Sequence, residues 1–199
     1  MKVLYIGRFQ PFHNGHLKLI KFIHNKYDEI IIGIGSSQYS HDKQNPFSVK
    51  ERKLMIEETL NENKINNFII FEISDIHNYP KWVSHVESII PDFDIVITNN
   101  PITTTLFKNK GYKVIRSRLY NRKKYSGAEI RNKILSSNEE WIKSIPKPVY
   151  NIIKRIDGVN RIKNLSKQWY FNIYLDDFFF LKKSTNPANI SIKDENMQI

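Results

Sequence analysis

Residues 7–16 read Gly7-Arg8-Phe9-Gln10-Pro11-Phe12-His13-Asn14-Gly15-His16 and follow directly on the apolar run Val3-Leu4-Tyr5-Ile6. A short buried strand, then a glycine and an arginine, then two histidines three residues apart at the opening of a helix: this order suits the holding of a triphosphate. Main chain at a glycine can approach an anion closely, and a helix N-terminus offers N–H groups without intrahelical partners, together with the positive end of its dipole. Arg8, His13 and His16 are expected to add donors and mobile positive charge, with Gly7, Phe9 and Gln10 in the same cradle. Taken alone, His-x-x-His reads as a solvated surface turn. The strand, glycine and arginine before it, and Gly15 between the histidines, favour phosphate. Zinc would need a further ligand, and neither His-Glu-x-x-His nor any cysteine is present.

A second anion site is expected at Ser126-Gly127-Ala128-Glu129, which matches the capping box, as does Ser48-Val49-Lys50-Glu51. On the plainer reading Ser126 only caps a helix and Arg131 is a solvated charge. Arg131 on the first turn, however, and Arg116, Arg118, Arg122, Lys123 and Lys124 just before it, make this helix start strongly basic.

Strand-like runs and helical patterns alternate along the chain and must position these residues. Strands are expected at 2–6, Glu29–Ile34, Phe68–Ile73, Asp94–Thr98 and Tyr112–Arg116, with helices near 14–26, 48–62, 81–90 and 102–109. Such alternation implies right-handed crossovers and a parallel sheet covered on both faces, which permits the unbroken apolar runs Ile30-Ile31-Ile32 and Ile95-Val96-Ile97. The fold class is α/β, a Rossmann-like doubly wound parallel sheet with C-terminal helices. Ligands in such sheets lie beyond the C-terminal strand ends. Gly35-Ser36-Ser37, Ser74-Asp75, Asn99-Asn100 and Ser117-Arg118 therefore collect at the edge that carries Gly7. Trp82 could be core, but it closes the loop Asp75-Ile76-His77-Asn78-Tyr79-Pro80-Lys81 at that edge, where an indole can stack on a planar ring. After Gly158 the character changes: 159–168 still reads as helical, whereas 169–199 is aromatic-rich and then polar, a flexible tail beyond a domain spanning 1–168.

The bulk properties narrow the function classes. A chain of 199 residues with 40% hydrophobic content can bury one real core. No long apolar window suits a membrane span and no leader pattern precedes the first strand, so the chain reads as soluble and unsecreted. The absence of cysteine excludes disulfides and thiolate chemistry. The net charge of +11 suits a polyanion, either nucleic acid or a triphosphate. Gly33-Ile34-Gly35 lacks the third glycine of a dinucleotide fingerprint, and no Gly-x-x-x-x-Gly-Lys-Ser/Thr is present, which disfavours hydride-transferring dehydrogenases and P-loop enzymes.

Several segments taken in order carry a family resemblance: Gly7 to His16, Gly35-Ser36-Ser37-Gln38 with Ser40-His41, Asn45-Pro46-Phe47-Ser48 with Glu51-Arg52, Trp82-Val83, Asn99-Asn100-Pro101, Tyr125-Ser126-Gly127-Ala128-Glu129-Ile130-Arg131, and Gly158 to Leu165. Together they resemble the archaeal-type nicotinamide mononucleotide (NMN) adenylyltransferases from residue 1 to about Gln168. The chain departs from the family pattern at Ala128, where threonine is usual, and at Gln44, where a basic residue is usual and Lys43 stands alongside. The resemblance implies a nucleotidyltransferase fold, ATP and NMN as substrates, magnesium, cytoplasmic NAD synthesis and a homo-oligomer, typically a hexamer. The implied reaction is attack by the NMN 5′-phosphate on the α-phosphorus of ATP. It needs no general base, because a phosphate oxygen is already nucleophilic at neutral pH; orientation and charge stabilisation suffice. On this basis His13 and His16 donate to the ATP phosphates, Arg8 and Arg131 neutralise developing charge, and Ser126 and Gly127 hold the β- and γ-phosphates. Ser36 and Ser37 contact the mononucleotide phosphate, Trp82 stacks on nicotinamide, the Ile76 main chain meets its carboxamide, and Asn99 and Asn100 contact ribose or base. Magnesium rides on phosphates and water, and no side chain is assigned as its ligand.

Three rivals differ in what they require. Transfer to phosphopantetheine or FMN keeps the chemistry and changes the acceptor. A basic nucleic-acid-binding protein would use the charge alone, but no recognition module is visible. A fused pyrophosphohydrolase would need a glutamate-rich helix that the region after Gly158 lacks.

Overall fold

A computed structural model of the chain describes residues 1–116 and 125–167. Five strands, β1 (Lys2–Gly7), β2 (Glu29–Ile34), β3 (Phe68–Glu72), β4 (Ile95–Ile97) and β5 (Lys113–Ile115), form one sheet in the order β3-β2-β1-β4-β5. Every pairing is parallel. Between them run α1 (Asn14–His24), α2 (Val49–Glu62), α3 (Tyr79–Ile89) and α4 (Pro101–Asn109), followed by α5 (Gly127–Leu135), a 3-10 turn (Glu139–Ser144), α6 (Lys147–Arg155) and a helical run over 158–167. The doubly wound class and each expected strand are present: β2 has the expected bounds, β1 runs one residue further, and β3, β4 and β5 are shorter by a residue at one or both ends. Fraying and capping decide such ends more than hydrophobic period does.

The unbroken apolar strands serve two cores. Ile30 and Ile32 of β2, Tyr5 of β1 and Ile95 and Ile97 of β4 join one cluster with Ile20, Ile56 and Ile152 from α1, α2 and α6. Ile31, Leu4 and Val96 point the other way, against Val83 and Val86 of α3 and Phe107 of α4. A period of two thus survives in direction although it is invisible in composition. The chain winds outward from β1 through β2 to β3, then returns across β1 to start again at β4. The point where the order reverses therefore lies between β1 and β4, and strand ends part there to leave a crevice.

The 3-10 turn and α6 are elements that hydrophobic alternation alone does not reveal. Their signal is local: Pro148 lies in the first turn of α6, where proline is tolerated, and Val149, Ile152, Ile153 and Ile156 follow at helical spacing. The tail over 169–199 lies outside the described residues, as do 118–124 of the basic cluster. Ile152 of α6 is fully buried against the first core. Ile152→Ala is expected to lower unfolding stability by about 2–5 kcal/mol, measured by urea denaturation with m unchanged. A loss below about 1 kcal/mol would mean that α6 contributes little to that core.

Candidate functional site

A cavity of about 770 Å³ opens at the β1/β4 reversal. Gly7 and Arg8 border it from the end of β1, Gly35 and Ser36 from β2, Asp75 and Ile76 from beyond β3, and Thr98, Asn99 and Asn100 from β4. Two helix N-termini border the same space, that of α1 through His13, Gly15 and His16 and that of α5 through Ser126 and Gly127. They touch. A Cβ on Gly15 would sit 3.0 Å from the Tyr125 Cβ, and a Cβ on Gly127 would stand 2.6 Å from the Gln10 carbonyl oxygen. Only glycine lets the two termini approach this closely, and their unpaired N–H groups and dipole ends then converge on one anion-sized region.

The histidines are organised by each other. His13 is the N-cap of α1; its Nδ1 accepts the His16 N–H at 3.3 Å, and His16 Nδ1 accepts the His13 N–H at 3.2 Å. This is a capping box built from two imidazoles, which stack at 3.5 Å between centroids. Because each Nδ1 accepts, the proton of each ring is assigned to Nε2, which becomes the donor. Burial pushes the His13 pKa down to about 4, and burial followed by the neighbouring His13 pushes that of His16 well below its ordinary value. Both rings are therefore neutral near pH 7. The expectation of mobile positive charge on His13 and His16 is corrected: they are fixed neutral donors, since two stacked imidazolium rings out of water would repel each other and lose hydration.

Formal charge is left to arginine. Arg8 is exposed and borders the cavity. Arg131 does not border it; its Nη1 donates to the Gln10 carbonyl at 2.6 Å, one layer behind Gly127, within electrostatic reach of Arg8 and Asp42. Its expected direct phosphate contact becomes a charge set behind the wall.

Other assignments are also corrected by tertiary partners. Phe9 is buried, its backbone at φ 52°, and its ring packs edge-on to His16 at 4.8 Å, so it steadies the histidine and does not line the cavity. Gly7 makes room for that ring, since a Cβ there would lie 2.9 Å from it. The Gln10 side chain bridges to the Phe47 main chain, Nε2 donating to the carbonyl at 2.8 Å and Oε1 accepting the N–H at 3.0 Å, so it has no free arm for ATP. Ser36 Oγ donates to Asp75 Oδ2 at 2.6 Å, and Ser37 is off the cavity wall with its N–H on the Ile73 carbonyl at 3.0 Å. A hydroxyl that donates to a carboxylate has no hydrogen left for a phosphate, so the Ser36 side chain is committed to Asp75, and the Ser37 hydroxyl has only an indirect place beside the cavity. Asn100 uses its Oδ1 to cap α4, accepting the Ile102 and Thr103 N–H groups, which leaves ribose or base contact to its other polar groups.

Ser126 Oγ accepts the Glu129 N–H at 3.1 Å; the structure shows this serine arm of the expected box and not the returning glutamate arm. Accepting there leaves the hydroxyl hydrogen to donate. Ile76, Trp82, Asn99 and Asn100 all border the cavity, with the Trp82 ring held edge-to-face by Phe107 at 5.8 Å. Sequence reasoning gave no role to Arg52, whose guanidinium lies fully buried behind the β1 and β2 loops and donates to the carbonyls of Arg8 (2.9 Å), Gly35 (2.9 Å), Ser36 (3.1 Å) and Ser48 (3.3 Å). An arginine amid a helical pattern carries no signal of burial; only its place one residue after the capping-box Glu51 hints at it.

Comparison with known proteins gives consistent findings. Residues 4–133 match the model of the cytidylyltransferase-like family. The chain is 48% identical over 84% of its length to the nicotinamide-nucleotide adenylyltransferase of Picrophilus torridus, and 51% identical over 85% to that of Methanococcus aeolicus, covering 98% of each relative. In fold it is similar to a bifunctional NMN adenylyltransferase/ADP ribose pyrophosphatase from Francisella tularensis, with a TM-score of 0.67 and 23% identity over 88% of this chain; it spans 56% of that longer protein.

The lowered His13 pKa makes acid sensitivity predictable. As pH falls, the unfolded chain takes up the proton near 6.5 and the folded one only near 4, so stability drops across that window and is intact above it. In His13→Asn, which keeps an N-cap acceptor and removes the titrating group, the urea midpoint is expected to fall less between about pH 7 and 4.5 than in wild type. Equal slopes would place the acid sensitivity elsewhere.

Proposed function

This chain belongs to the nicotinamide-nucleotide adenylyltransferases of the cytidylyltransferase-like family, and on that premise we propose that it transfers AMP from ATP to NMN, giving NAD and pyrophosphate. The observation that carries the reading is the meeting of the α1 and α5 N-termini on one cavity at the sheet's reversal point. Such a site holds a polyphosphate by N–H groups and dipole ends, without a dedicated base or nucleophile.

The division of labour follows from protonation and position. His13 and His16 donate Nε2–H to ATP phosphate oxygens as neutral groups, so they orient the chain without binding the pyrophosphate product as cations would. Arg8, on the wall, and Arg131, behind it, supply the field that stabilises charge moving onto the leaving phosphates as the Pα–O bond breaks. The Ser126 hydroxyl and the N–H groups of Gly127 and its successors hold the terminal phosphates. At the other end of the cavity, the Trp82 face takes the nicotinamide ring and the Ile76 main chain its carboxamide, with Asn99 and Asn100 along the ribose and base. The wall carries amide, hydroxyl, imidazole and guanidinium groups and one carboxylate, Asp75, and among the described residues no group of three carboxylates or histidines is arranged as a metal cage. That set fits magnesium carried in on ATP, held by phosphate and water, where it would neutralise phosphate charge. Among the described residues no helix is long and apolar enough to cross a membrane. The reading extends to a cytoplasmic homo-oligomer, which rests on the family likeness.

Purified protein given ATP and NMN is expected to form NAD and pyrophosphate in equal amounts, with no pyrophosphate when phosphopantetheine or FMN replaces NMN; absence of NAD would overturn the reading. In that assay His16→Ala is expected to lose roughly 10²- to 10³-fold in kcat, the scale of one preorganised donor. Retention of most turnover at saturating ATP would remove His16 from the mechanism. Trp82→Ala is expected to weaken NMN binding by calorimetry with ATP affinity little changed, and the reverse pattern would assign the indole to adenine.

A further inference from the structure

A cavity proposed to admit two phosphate-bearing substrates keeps a carboxylate in its wall. Asp75 is the one carboxylate among the described residues that border it. Its placement is fixed from several sides: Oδ2 accepts the Ser36 hydroxyl at 2.6 Å, its N–H donates to Gln38 Oε1 at 3.0 Å, and its carbonyl accepts from Gln38 Nε2 at 2.8 Å. A second clasp joins the same two loops, Tyr39 Oη to His77 Nε2 at 2.7 Å. Arg52 lies within electrostatic reach of Asp75 but directs the hydrogen bonds described above to carbonyl oxygens. The carboxylate is a built part of the wall.

A fixed anion raises the energy of any phosphate beside it and lowers that of a cation. Asp75 stands beyond β3, next to Ile76 and in the loop that leads to Trp82, whereas the phosphate-directed N-termini of α1 and α5 meet near the end of β1. The two ends of the cavity therefore have opposite electrostatic preferences. NMN has the matching polarity, a pyridinium cation at one end and a phosphate at the other. In nicotinic acid mononucleotide the ring substituent is a carboxylate, which cancels the ring's charge and places an anion where the carboxamide would be. Shape barely separates the two, and stacking on Trp82 accepts either ring.

Resting on the assignment of Ile76 and Trp82 to the mononucleotide ring, we propose that Asp75 is the specificity-determining residue that selects nicotinamide over nicotinate mononucleotide, by charge. Like-charge repulsion against the wrong substrate does as much of the selection as attraction to the right one. Ser36 and Gln38 act through Asp75 as positioning residues.

The test measures kcat/KM for both mononucleotides at saturating ATP in the full chain, and the affinity for each by calorimetry without ATP. Asp75→Asn keeps an acceptor for the Ser36 hydroxyl and removes the charge; the NMN-to-nicotinate ratio is expected to fall by about tenfold or more, with NMN worse, nicotinate better and KM for ATP within about twofold. Asp75→Glu, which restores the charge, is expected to keep the preference for NMN. An equal loss for both mononucleotides, or an unchanged ratio, overturns the proposal. The binding ratio reads the same selection without transfer. Absence of any dinucleotide product would therefore count against the transferase reading, while a shifted binding ratio would still uphold Asp75.

Discussion

The site depends on a buried cation whose partners are four main-chain carbonyls. Arg52, on the first turn of α2, is fully enclosed, and its N–H groups reach Arg8, Gly35, Ser36 and Ser48. Burial lowers its pKa to about 10, so it remains charged at neutral pH. Enclosing a charge is unfavourable unless its donors are satisfied, and here the carbonyls satisfy them in a fork that suits the planar guanidinium. The return is positional. Phe9 and Ser36 both adopt left-handed backbone, φ 52° and 51°, which costs about 1–2 kcal/mol for a non-glycine residue. Arg52 grips the carbonyls that precede or belong to those residues, and so holds the β1 and β2 loops in conformations they would not keep alone. The grip is anchored in turn: the Ser48–Glu51 capping box fixes the start of α2, and Arg161 locks Glu51 with contacts of 2.8 and 2.9 Å from the last described helix.

From that anchor the phosphate end of the cavity follows. With the β1 loop set, the Phe9 ring turns inward over Gly7 and supports the edge of His16, and the two imidazoles cap α1. Gln10, held by Phe47, presents its carbonyl to Arg131, which carries α5 to within a glycine's width of the same loop. The donors are thus fixed partly by each other, as His13 and His16 are, and partly by groups set back from the cavity, Phe9, Phe47 and Arg131. A site whose chemistry is orientation and charge stabilisation needs that arrangement, because donors that must reorganise during reaction lose most of their electrostatic value.

What was legible in the sequence is what local pattern encodes. Apolar runs placed the strands, the capping-box spacing placed the starts of α2 and α5, and Gly7 to His16 marked a helix start that borders the cavity. The failures share a cause, which is a partner far away in sequence. Gln10 and Ser36 are polar residues in loops at the right sheet edge, which local pattern reads as ligand contacts, yet Phe47 and Asp75 claim their side chains. Arg131 was placed on the correct turn but one layer too far forward, because sequence gives the turn and not the depth. The histidine charge was misjudged for the same reason: composition shows two imidazoles, and only packing shows that Tyr5, Phe9 and Phe12 surround His16. Arg52 figures in the family resemblance but carries no role at the level of sequence, because arginine is usually exposed and its burial depends on the β1 and β2 loops.

The reversal of strand order also explains how one cavity can have two characters. The winding β1-β2-β3 puts α1 and α2 on one face of the sheet, and the return to β4 and β5 puts α3 and α4 on the other. Helix starts from the first face bring N–H groups and arginine to the middle of the sheet edge. The second face brings aromatic and aliphatic groups, Trp82, Tyr79 and Ile102, with Tyr79 and Ile102 standing 61% and 50% exposed at the rim. The carboxylate of Asp75 stands on the side of the second regime, beyond β3 and in the loop that leads to Trp82. On the function proposed above, a mononucleotide laid across the reversal point would meet donors at its phosphate and an aromatic, negatively biased wall at its ring, and its direction in the site would be set before any contact specific to the base is made.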